Sequence, residues 1–597
     1  MKHAVNRGGS TMKVTIPKGG EFLLTDATTK SAFSPEDFSD EQRQFAETTE
    51  DFVKKELLPD LDRIEQQDFD LVVAKLRRCA ELGLFLVDVP EDFGGMELDK
   101  VTSMLLAEKI APTGSFSITY GGQTGIGLLP LVYYGTIDQK NRYLEKLTSG
   151  TWVAAYALTE PNSGSDALSA RTTATLTEDG RHYVLNGVKQ FITNAGFADL
   201  FTVFAKIDGT EFSAFLVERG YAGFSVGDEE KKMGLKGSST TQLFLDHVMV
   251  PVENLLGEPG KGHKIAFNVL NIGRLKVAAT AGGMAKGAFA EAAVYATERK
   301  QFGRIIGDFG AIKEKMADMS AAIFTSDSVV YRVAGMLDAR IATLDRSGTD
   351  YYERYQKAIE EYAIECAIAK VFCTDMLAGV VDEVVQIHGG YGYVSDYAAE
   401  RYYRDERIQR IFEGTNEINR LLIPTLLFRR SESGVFDLPG KIDAARTELK
   451  YGEAASNTCD LFRLDFMLLA NVKKLFLTLL GSSSQSRDTQ EVMLAVADMV
   501  ISIFTLESVI IRVRKVFGTA SSNRKQLLEA VLKLVSFEQA GRFYLAAGRC
   551  AAYLLKGETI IEQHMLAARL TAYPVEGLLE AKQLLAEAVK DAGKYSV

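Results

Sequence analysis

The chain has 597 residues, of which 46% are hydrophobic and 25% are charged, and its formal net charge at pH 7 is −11. This composition is typical of a soluble globular protein, and the acidic balance argues against a nucleic-acid-binding protein, which usually carries a basic excess. The length gives room for about four domains.

Cysteine and histidine usage predicts neither a disulfide framework nor a metal site. The five cysteines are scattered, none forms a Cys-x-x-Cys pair, and their odd number favours a reducing compartment. None of the six histidines has the paired spacing of metal ligands.

The first segment, residues 1–20, contains four cations and no acidic residue. It lacks the apolar core of a signal peptide. A transit peptide is one interpretation, but a single arginine, Arg7, and a turn at Pro17–Gly20 fit it poorly. We expect a disordered arm here, and we place the N-terminal arm as a whole at residues 1–33.

Residues 34–150 carry helical signals. Ser34–Asp37 combines a capping residue, a proline and early acids, which predicts the start of a helix. Phe45 and Phe52 belong to an apolar series at helical intervals. The stretch Gly121–Gly127 lacks the strand and the Lys-Ser/Thr pair of a phosphate-binding loop. Its small residues are expected to let helices pack closely or to leave room between them.

Residues 151–264 change to a strand-like pattern. β-favouring runs occur at residues 182–185, 200–205 and 212–217. The pairs typical of hairpin turns are Asp179-Gly180, Asn186-Gly187 and Asp208-Gly209. Short strands at this spacing predict a small β-barrel or sandwich. No Gly-x-Gly-x-x-Gly follows a strand, so a nucleotide-binding parallel sheet is not indicated.

From residue 265 onward the helical pattern returns and the helices are long. The segments predicted to be helical are Ala278–Arg299, Ala311–Leu344 and Tyr351–Ile387, with a linker at residues 345–350. Periodicity therefore predicts a mainly α protein with a β insert.

One carboxylate in this region is notable for its neighbours. Glu413 lies between the apolar pair Ile411-Phe412 and Gly414. An apolar setting raises the pKa of a carboxyl group by desolvation, which suits a general base, and a glycine lets the backbone approach a ligand closely. For an isolated Glu-Gly-Thr, a solvated glutamate in a loop between helices is the more ordinary interpretation.

Four other stretches, taken with the one around Glu413, make the chain resemble an acyl-CoA dehydrogenase. They are Tyr156–Asp166, Phe191–Thr193, Arg299–Gly303 and Gln386–Gly390. The resemblance covers residues 36–429 in order and at the family's spacing, and within the family it is to the very-long-chain type, which carries an extra C-terminal domain. It implies an N-terminal helical domain at residues 34–150, a middle β-barrel domain at 151–264, a C-terminal four-helix-bundle domain at 265–430 and an additional helical domain at 431–597.

The resemblance also implies a bound FAD. Thr159 is expected near flavin N5, Ser165 at the cofactor or the CoA portion, and Phe191 over the isoalloxazine, where the family usually has tryptophan. The residues expected to reach the FAD of the neighbouring subunit are Arg299, Phe302, Gln386 and Gly390. The full set of implied cofactor-binding residues is Tyr156, Leu158, Thr159, Gly164, Ser165, Phe191, Ile192, Thr193, Arg299, Phe302, Gln386, Gly389, Gly390, Thr415 and Glu417.

The chemistry implied by the resemblance is α,β-dehydrogenation of a fatty acyl-CoA. Glu413 takes the α-proton while a β-hydride passes to flavin N5, which gives a trans-2-enoyl-CoA. The backbone N–H of Glu413 and the flavin's ribityl chain stabilise the thioester oxygen. Some relatives carry the base at the position of Gly273, where a glycine cannot serve. The implied substrate-binding residues are Ser165, Arg274 and Gly414, and the glycines of residues 121–127 are a candidate site for the acyl chain.

The last part of the chain is predicted to be a linker at residues 431–440 followed by helices to residue 590. The apolar stretches at residues 461–480 and 499–506 fall short of the ~20 residues of a transmembrane helix. We therefore expect them to be buried in a helical bundle. In an alternative, cations near Lys473-Lys474 and Arg512–Lys515 rest on an anionic membrane surface.

Three functions stay open at this point. They are a dehydrogenase that passes electrons to electron-transfer flavoprotein, an acyl-CoA oxidase that passes them to oxygen, and an assembly or scaffold protein on the same fold. Glu413 and the flavin segments favour an enzyme.

We expect a homodimer, because the apolar helices of residues 441–597 would cover the surface that meets a second dimer in tetrameric relatives. The expected location is the cytoplasm of a bacterium or the mitochondrial matrix of a eukaryote. The sequence does not fix the acyl-chain length.

Overall fold

A computed structural model describes residues 16–348, 350–451 and 461–597. The predicted disorder of residues 1–15 and the position of Cys459 lie outside the described residues. Along the described chain, helices come first, a β domain follows, and helices return, so the predicted fold class is confirmed.

Seven helices form the N-terminal domain: α1 Asp40–Phe52, α2 Leu61–Glu65, α3 Phe69–Glu81, α4 Lys100–Ile110, α5 Ser115–Gly121, α6 Leu129–Tyr134 and α7 Ile137–Thr148. The predicted cap at Ser34 is confirmed, since Ser34 and Asp37 form a capping box, but the helix that begins there is only the 3-10 turn Pro35–Asp37. Helix α1 has its own cap, Ser39, whose hydroxyl accepts a hydrogen bond from the Gln42 N–H at 3.1 Å.

Residues shortly before α1 contact distant parts of the chain. The N–H of Gly19 donates to Glu361 Oε1 at 2.9 Å, and the N–H of Gly20 donates to Glu365 Oε1 at 2.7 Å. The ring of Phe22 packs edge-on against Phe504, with centroids 4.8 Å apart. The prediction of a disordered arm is therefore wrong for residues 18–20, because their backbone amides and the apolar side chain that follows have partners far along the chain.

The glycine-rich stretch forms a π-helical turn, Gly122–Gly127, between α5 and α6. A Cβ at Gly122 would lie 2.8 Å from Asn194 Nδ2, and a Cβ at Gly127 would lie 2.9 Å from the Cβ of Ala154. The small residues thus let this turn pack directly on the β domain. These close contacts are with the β domain, whereas the sequence analysis expected close packing of helices, and room for an acyl chain stays a prediction.

The middle domain consists of β1 Ala154–Ala157, β2 Thr173–Leu176, β3 His182–Thr193, β4 Leu200–Ile207, β5 Glu211–Glu218, β6 Phe224–Glu229, β7 Thr240–Pro251 and β8 Leu255–Leu256. These strands form one sheet in the order β6-β7-β3-β2-β4-β5-β8, and β1 pairs in parallel with β4. Within this fully described domain the end strands β6 and β8 pair only with β7 and β5, so the sheet is open.

The three predicted hairpin turns have different outcomes. Asp179-Gly180 connects β2 to β3, and Asp208-Gly209 connects β4 to β5, as predicted. The prediction at Asn186-Gly187 is wrong, because these residues lie inside β3 at a register shift against β7. Gly187 has φ 158° there, and an added Cβ would lie 2.4 Å from Thr172 Oγ1. The glycine therefore lies at a β-bulge, where its lack of a side chain lets β3 approach Thr172 closely.

The third region contains α8 Gly262–Glu298, a short hairpin of β9 Lys300–Gln301 and β10 Arg304–Ile305, α9 Gly310–Ile341, α10 Tyr351–Glu361, α11 Ala363–His388, α12 Ala398–Glu406 and α13 Asn416–Glu432. Helix α11 packs against α8, α9 and α13. The single helix predicted at Tyr351–Ile387 is wrong, because Tyr362 leaves helical geometry and separates α10 from α11. The Tyr362 hydroxyl donates instead to the Pro17 carbonyl at 2.8 Å.

The last region is helical as predicted, with α14 Leu438–Tyr451, α15 Arg463–Ser483, α16 Gln490–Phe517, α17 Ser522–Leu554, α18 Glu558–Leu570 and α19 Leu578–Ala592. The predicted linker is shorter than expected, since α13 continues to Glu432 and α14 begins at Leu438. Helix α16 packs against α9 and α13, and α19 packs against α9. This domain therefore covers the outer side of the bundle.

Helix α16 corrects one membrane prediction. Within the described chain it is the one helix long and apolar enough to span a membrane, with a mean hydropathy of 2.1 over its most apolar window. The sequence analysis predicted that the apolar stretches of this region are shorter than a transmembrane helix, and for the stretch in α16 this prediction is wrong. The expected burial is confirmed, because 89% of that window is buried inside the protein.

Cations of the predicted membrane patch form internal contacts, and contact with a membrane stays a prediction. Lys473 pairs with the buried Glu507, and Arg512 pairs with Glu36 at 2.9 Å. Lys515 Nζ donates to the Ala32 carbonyl at 2.8 Å. These charges stabilise the attachment of the extra domain to the N-terminal segment.

Candidate active site

The loop around Glu413 has an unusual backbone. Glu413 has φ 57° and Gly414 has φ 81°, so two consecutive residues adopt the left-handed conformation. A non-glycine residue held there costs about 1–3 kcal/mol, and the surrounding contacts must offset this cost. Thr415 then caps α13, with its hydroxyl accepting a hydrogen bond from the Ile418 N–H at 3.3 Å. The turn directs the Glu413 side chain away from α13.

The Glu413 carboxylate lies directly on Gly273 of α8. A Cβ added at Gly273 would be 2.7 Å from Glu413 Oε2 and 3.0 Å from Oε1. A side chain at position 273 would therefore occupy the space of this carboxylate. Gly273 was predicted as a position that cannot serve as base, and its absent side chain also makes room for the base that is present.

The Glu413 carboxylate is largely removed from water, and nearby positive charges offset only part of the cost of burying its charge. Oε2 is out of contact with solvent and has no hydrogen-bond partner among the described residues. Burial raises the pKa of Glu413 to about 7, although the positive charges of Arg274 and Lys370 act in the opposite direction. A carboxyl group with this pKa can be ionised near neutral pH and can still accept a proton.

Arg274 lies behind the base. Its Nε donates to the Glu413 carbonyl at 3.3 Å, and its Nη1 donates to Asn271 Oδ1 at 2.9 Å. The predicted contact of Arg274 with substrate stays a prediction, and in this structure the guanidinium holds the loop that carries Glu413.

The sequence analysis missed three polar residues that form hydrogen bonds with or beside this loop. Asn419 donates to the carbonyl oxygens of Gly414 at 2.7 Å and Thr415 at 3.1 Å. Lys370 Nζ donates to the Gly414 carbonyl at 2.9 Å and to Asn416 Oδ1 at 2.7 Å. One signal was available, because Lys370 is a lone cation within an apolar stretch of α11.

The β domain contributes Tyr156 to the surroundings of Glu413. The Tyr156 hydroxyl is buried without a hydrogen-bond partner, and burial and the charge of Glu413 raise its pKa well above the usual value. Leu158 is buried beyond the end of β1, and the Thr159 carbonyl accepts the Gln190 N–H at 2.9 Å. Gly164 and Ser165 are exposed in the loop that follows.

The end of β3 presents an aromatic ring at the surface. Phe191 has φ 59° and 60% of its surface is exposed, whereas Ile192 is buried and Thr193 is half-buried. Glu417, in the first turn of α13, is also exposed. An exposed aromatic face at a fixed strand end is available to stack on a planar ligand.

The other predicted residues form a second cluster. A surface cleft of about 650 Å³ is lined by Arg299, Gly389 and Gly390 together with Tyr391. In the part of the chain that the structure describes, no carboxylate pairs with Arg299, and its guanidinium lies 5.5 Å from the centroid of the Tyr391 ring. Phe302 is 93% exposed next to this cleft, and Gln386 is exposed on α11.

The two clusters lie far apart in one chain. Gly273 and Arg299 are connected by 26 residues of continuous α8 geometry, which corresponds to about 39 Å at 1.5 Å per residue. The predicted residues therefore form one site at Glu413 and another at the far end of α8. Among the described residues, no group of His, Cys, Asp or Glu could hold a metal ion.

Comparisons with known proteins give consistent matches. Family models described as the N-terminal, middle and C-terminal domains of acyl-CoA dehydrogenase match residues 39–151, 155–248 and 260–427, and a further C-terminal domain model matches residues 471–560. A probable acyl-CoA dehydrogenase of Bacillus subtilis is 42% identical over 98% of this chain and 99% of its own length.

Two further similarities bear on the fold. A crystal structure of an acyl-CoA dehydrogenase complexed with FAD from Bacillus anthracis superposes with a TM-score of 0.95 at 43% identity, covering 97% of this chain and all of that one. The human very long-chain specific acyl-CoA dehydrogenase is 43% identical over 58% of this chain and 51% of its own length.

Proposed function

The chain belongs to the acyl-CoA dehydrogenase family of FAD-dependent enzymes, and from this premise we propose that it converts a fatty acyl-CoA into the trans-2-enoyl-CoA. The observation that carries the proposal is the Glu413 carboxylate next to Gly273, whose Oε2 is buried and has no hydrogen-bond partner among the described residues. Because Oε2 of this carboxylate forms no hydrogen bond with α8 or α13, it does not hold the two helices together.

Glu413 is the base that takes the α-proton of the thioester. The α-proton is weakly acidic, so the base must be ionised and desolvated, and the negative charge that develops on the thioester oxygen needs a donor. Among the described residues, no acceptor takes the backbone N–H of Glu413. This free N–H is the donor that we assign to the thioester oxygen.

FAD, when bound, supplies a two-electron acceptor for the hydride that leaves the β-carbon. The residues present fit this group. Thr159, Phe191 and Thr193 offer polar groups and an exposed aromatic face at the edge of the β domain. At the other end of α8, the guanidinium of Arg299, which pairs with no carboxylate among the described residues, suits a pyrophosphate. A Cβ at Gly389 or Gly390 would meet no atom within 4 Å, which leaves that backbone open to a ligand.

The separation of the two clusters supports a shared site in a homodimer. One chain would hold the flavin ring beside Glu413, and the partner subunit would hold the pyrophosphate at its own Arg299 cleft. We also propose that electrons pass to electron-transfer flavoprotein and that the enzyme acts in β-oxidation in the bacterial cytoplasm, in keeping with the full-length Bacillus relative.

Anaerobic stopped-flow spectroscopy of the purified protein tests the proposal. Bleaching of the bound flavin by a panel of acyl-CoAs, from short to very long, is expected at a rate that depends on chain length. Rapid recolouring in oxygen would instead favour an acyl-CoA oxidase. No bleaching with any acyl-CoA, in a protein that retains its flavin, would contradict the proposed activity and favour a scaffold role.

A further inference from the structure

Lys370 is a buried ammonium group that the proposed chemistry does not use. It lies on α11 with none of its surface exposed. Its Nζ is 2.9 Å from the Gly414 carbonyl oxygen and 2.7 Å from Asn416 Oδ1. Burying a cation is costly unless it gains strong partners, so its position next to the Glu413 loop requires an explanation.

The first part of the explanation is the backbone of that loop. Glu413 and Gly414 are both left-handed, and their carbonyl oxygens lie outside any helix or strand. Asn419 and Lys370 both bind the Gly414 carbonyl, and Arg274 binds the Glu413 carbonyl. Lys370 is therefore one of the donors that hold the turn in the conformation that points the carboxylate at Gly273.

The second part is electrostatic. The groups that face Glu413 are Arg274 from α8, Lys370 from α11 and Tyr156 from β1. Only the first two are cations, and Tyr156 is neutral. The groups that face Lys370 are Glu413 and Glu417, the Arg274 cation, and Asp375 of its own helix.

We propose that Lys370 is a positioning residue for the base: its ammonium group fixes the left-handed Glu413–Gly414 turn and keeps the buried Glu413 carboxylate ionised. The inference rests on the proposed function, because it assigns a role toward the proton transfer at Glu413. The proton that moves in this step passes from the substrate to Glu413, and Lys370 neither donates nor accepts it.

Burial and charge set the direction of the expected effect. Desolvation lowers the pKa of Lys370 to about 7, and the negative charge of Glu413 acts to keep it protonated. Removing the ammonium group takes away one of the two cations that lower the pKa of Glu413. That pKa then rises, and the ionised form of the base becomes available only at higher pH.

The test uses the flavin-loaded full-length enzyme with Lys370→Met and Lys370→Arg. For Lys370→Met, the acid limb of the kcat/KM profile is expected to move up by about one pH unit, with about a tenfold loss at pH 6 and a smaller loss at pH 9. For Lys370→Arg, which keeps the charge and can donate to the Gly414 carbonyl, the limb is expected to stay close to that of the wild type.

A second readout does not depend on turnover. The infrared band of the protonated Glu413 carboxyl, assigned by difference against Glu413→Gln, is titrated in each variant. Its midpoint is expected to move upward in Lys370→Met alone. The matched control is Lys276→Met, which removes another buried lysine whose Nζ binds Asp88 at 3.0 Å and the Thr124 carbonyl at 3.1 Å.

The outcomes separate the possibilities. If Lys370→Met folds, loses activity equally at every pH and leaves the carboxyl titration unchanged, the electrostatic role is wrong. If Lys276→Met shifts both midpoints as far as Lys370→Met does, the effect is not specific to Lys370. A wild-type enzyme that no acyl-CoA reduces would overturn the proposed function itself, which the bleaching experiment detects first.

Discussion

At Glu413, burial and charge act on one carboxylate in opposite directions. Burial raises its pKa to about 7, and Arg274 and Lys370 keep it from rising further. If burial acted alone, the group would hold its proton at neutral pH and could not act as a base. If the two cations dominated, it would bind a proton too weakly to remove one from carbon.

Replacing Glu413 with Gln tests this role directly. The amide cannot accept the α-proton, so kcat is expected to fall by about a thousandfold or more, or ~4 kcal/mol in barrier height. The flavin spectrum and the melting temperature are expected to change little, because no partner of Oε2 is lost. Retention of more than about a tenth of the wild-type rate would remove Glu413 from the role of base.

Substituting Gly273 with Ala tests the fit between α8 and the carboxylate. The new Cβ would lie 2.7 Å from Glu413 Oε2, so the carboxylate must move and kcat/KM is expected to fall about a hundredfold, or ~2.7 kcal/mol. The fold should persist, because Ala is about 1 kcal/mol better than Gly in a helix. The matched control is Gly379→Ala on α11, where a Cβ meets no atom within 4 Å. Equal losses in the two variants would contradict the steric explanation.

The residues around Glu413 show what the sequence could and could not predict at this scale. Glu413 and Gly414 carry local signals, an apolar neighbour and a glycine, but these alone favoured an ordinary loop, and the resemblance of four distant stretches to a known family identified them. Asn419 and Lys370 were not, because their role depends on which carbonyl oxygens the left-handed turn exposes. Only the folded backbone determines that exposure.

At the scale of the elements, periodicity identified helices and strands well and failed where a tertiary contact decided the geometry. Asn186-Gly187 carries a hairpin signal, but β3 continues through it because Gly187 must pass Thr172 closely. Tyr362 lies in an unbroken helical pattern, and yet its hydroxyl contacts the Pro17 carbonyl and the helix is interrupted. Both partners are remote in sequence, so no local window contains the information.

Helix α16 illustrates the energetics of a buried charge. Glu507 is fully buried in the middle of this apolar helix and contacts Lys473, Lys30 and Arg332 from three other segments. Burial raises the pKa of Glu507, but these three cations outweigh burial and hold it at about 2. The carboxylate thus connects the N-terminal segment and α9 to α15 and α16 of the extra domain.

Glu507→Gln is therefore expected to destabilise the protein by about 3 kcal/mol, because it leaves buried cations without their counter-charge. Since the folded-state pKa is depressed, the contribution is present above the unfolded pKa of ~4.3 and is lost as pH falls toward 2. The difference in melting temperature between the wild type and the variant should therefore be smaller at pH 3 than at pH 7.

The control for this prediction is Glu448→Gln, which removes a half-exposed carboxylate 3.4 Å from Lys474. An exposed pair contributes ~0–1 kcal/mol, so little change is expected. If Glu507→Gln is no more destabilised than this control, the buried network does not hold the extra domain in place.

At the scale of the whole molecule, the distance between the Glu413 site and the Arg299 cleft requires an explanation. About 39 Å of helix separates them, and both were predicted to serve one cofactor. Two chains related by a two-fold axis would bring the Arg299 of one to the Glu413 site of the other.

Complementation between inactive chains tests this arrangement. Arg299→Ala and Glu413→Gln are each expected to be nearly inactive as pure proteins. When the two chains are co-expressed and assort at random, half of the dimers are mixed and one of their two sites is intact, so about a quarter of the wild-type activity should return. Mixed dimers that form, as native mass spectrometry would show, but remain inactive would place Arg299 in the same chain's site.

The extra domain makes a prediction about assembly. Because α16 and α19 cover α9 and α13, the full-length chain is expected to be a dimer by light scattering. A chain truncated after Arg430 exposes those helix faces and is expected to form tetramers or aggregates. A full-length tetramer, or a truncated chain that stays a well-behaved dimer, would contradict this prediction.

The attachment of the N-terminal segment to α16 has a consequence for the time at which the fold can be completed. Glu36 and its partner Arg512 are 476 residues apart in the chain, which corresponds to roughly 24–95 s of protein synthesis at 5–20 residues per second. During that interval Phe22 and Leu23, which are buried in the finished protein, have no helix α16 to cover them. The first described residues to leave the ribosome are therefore among the last to reach their native contacts.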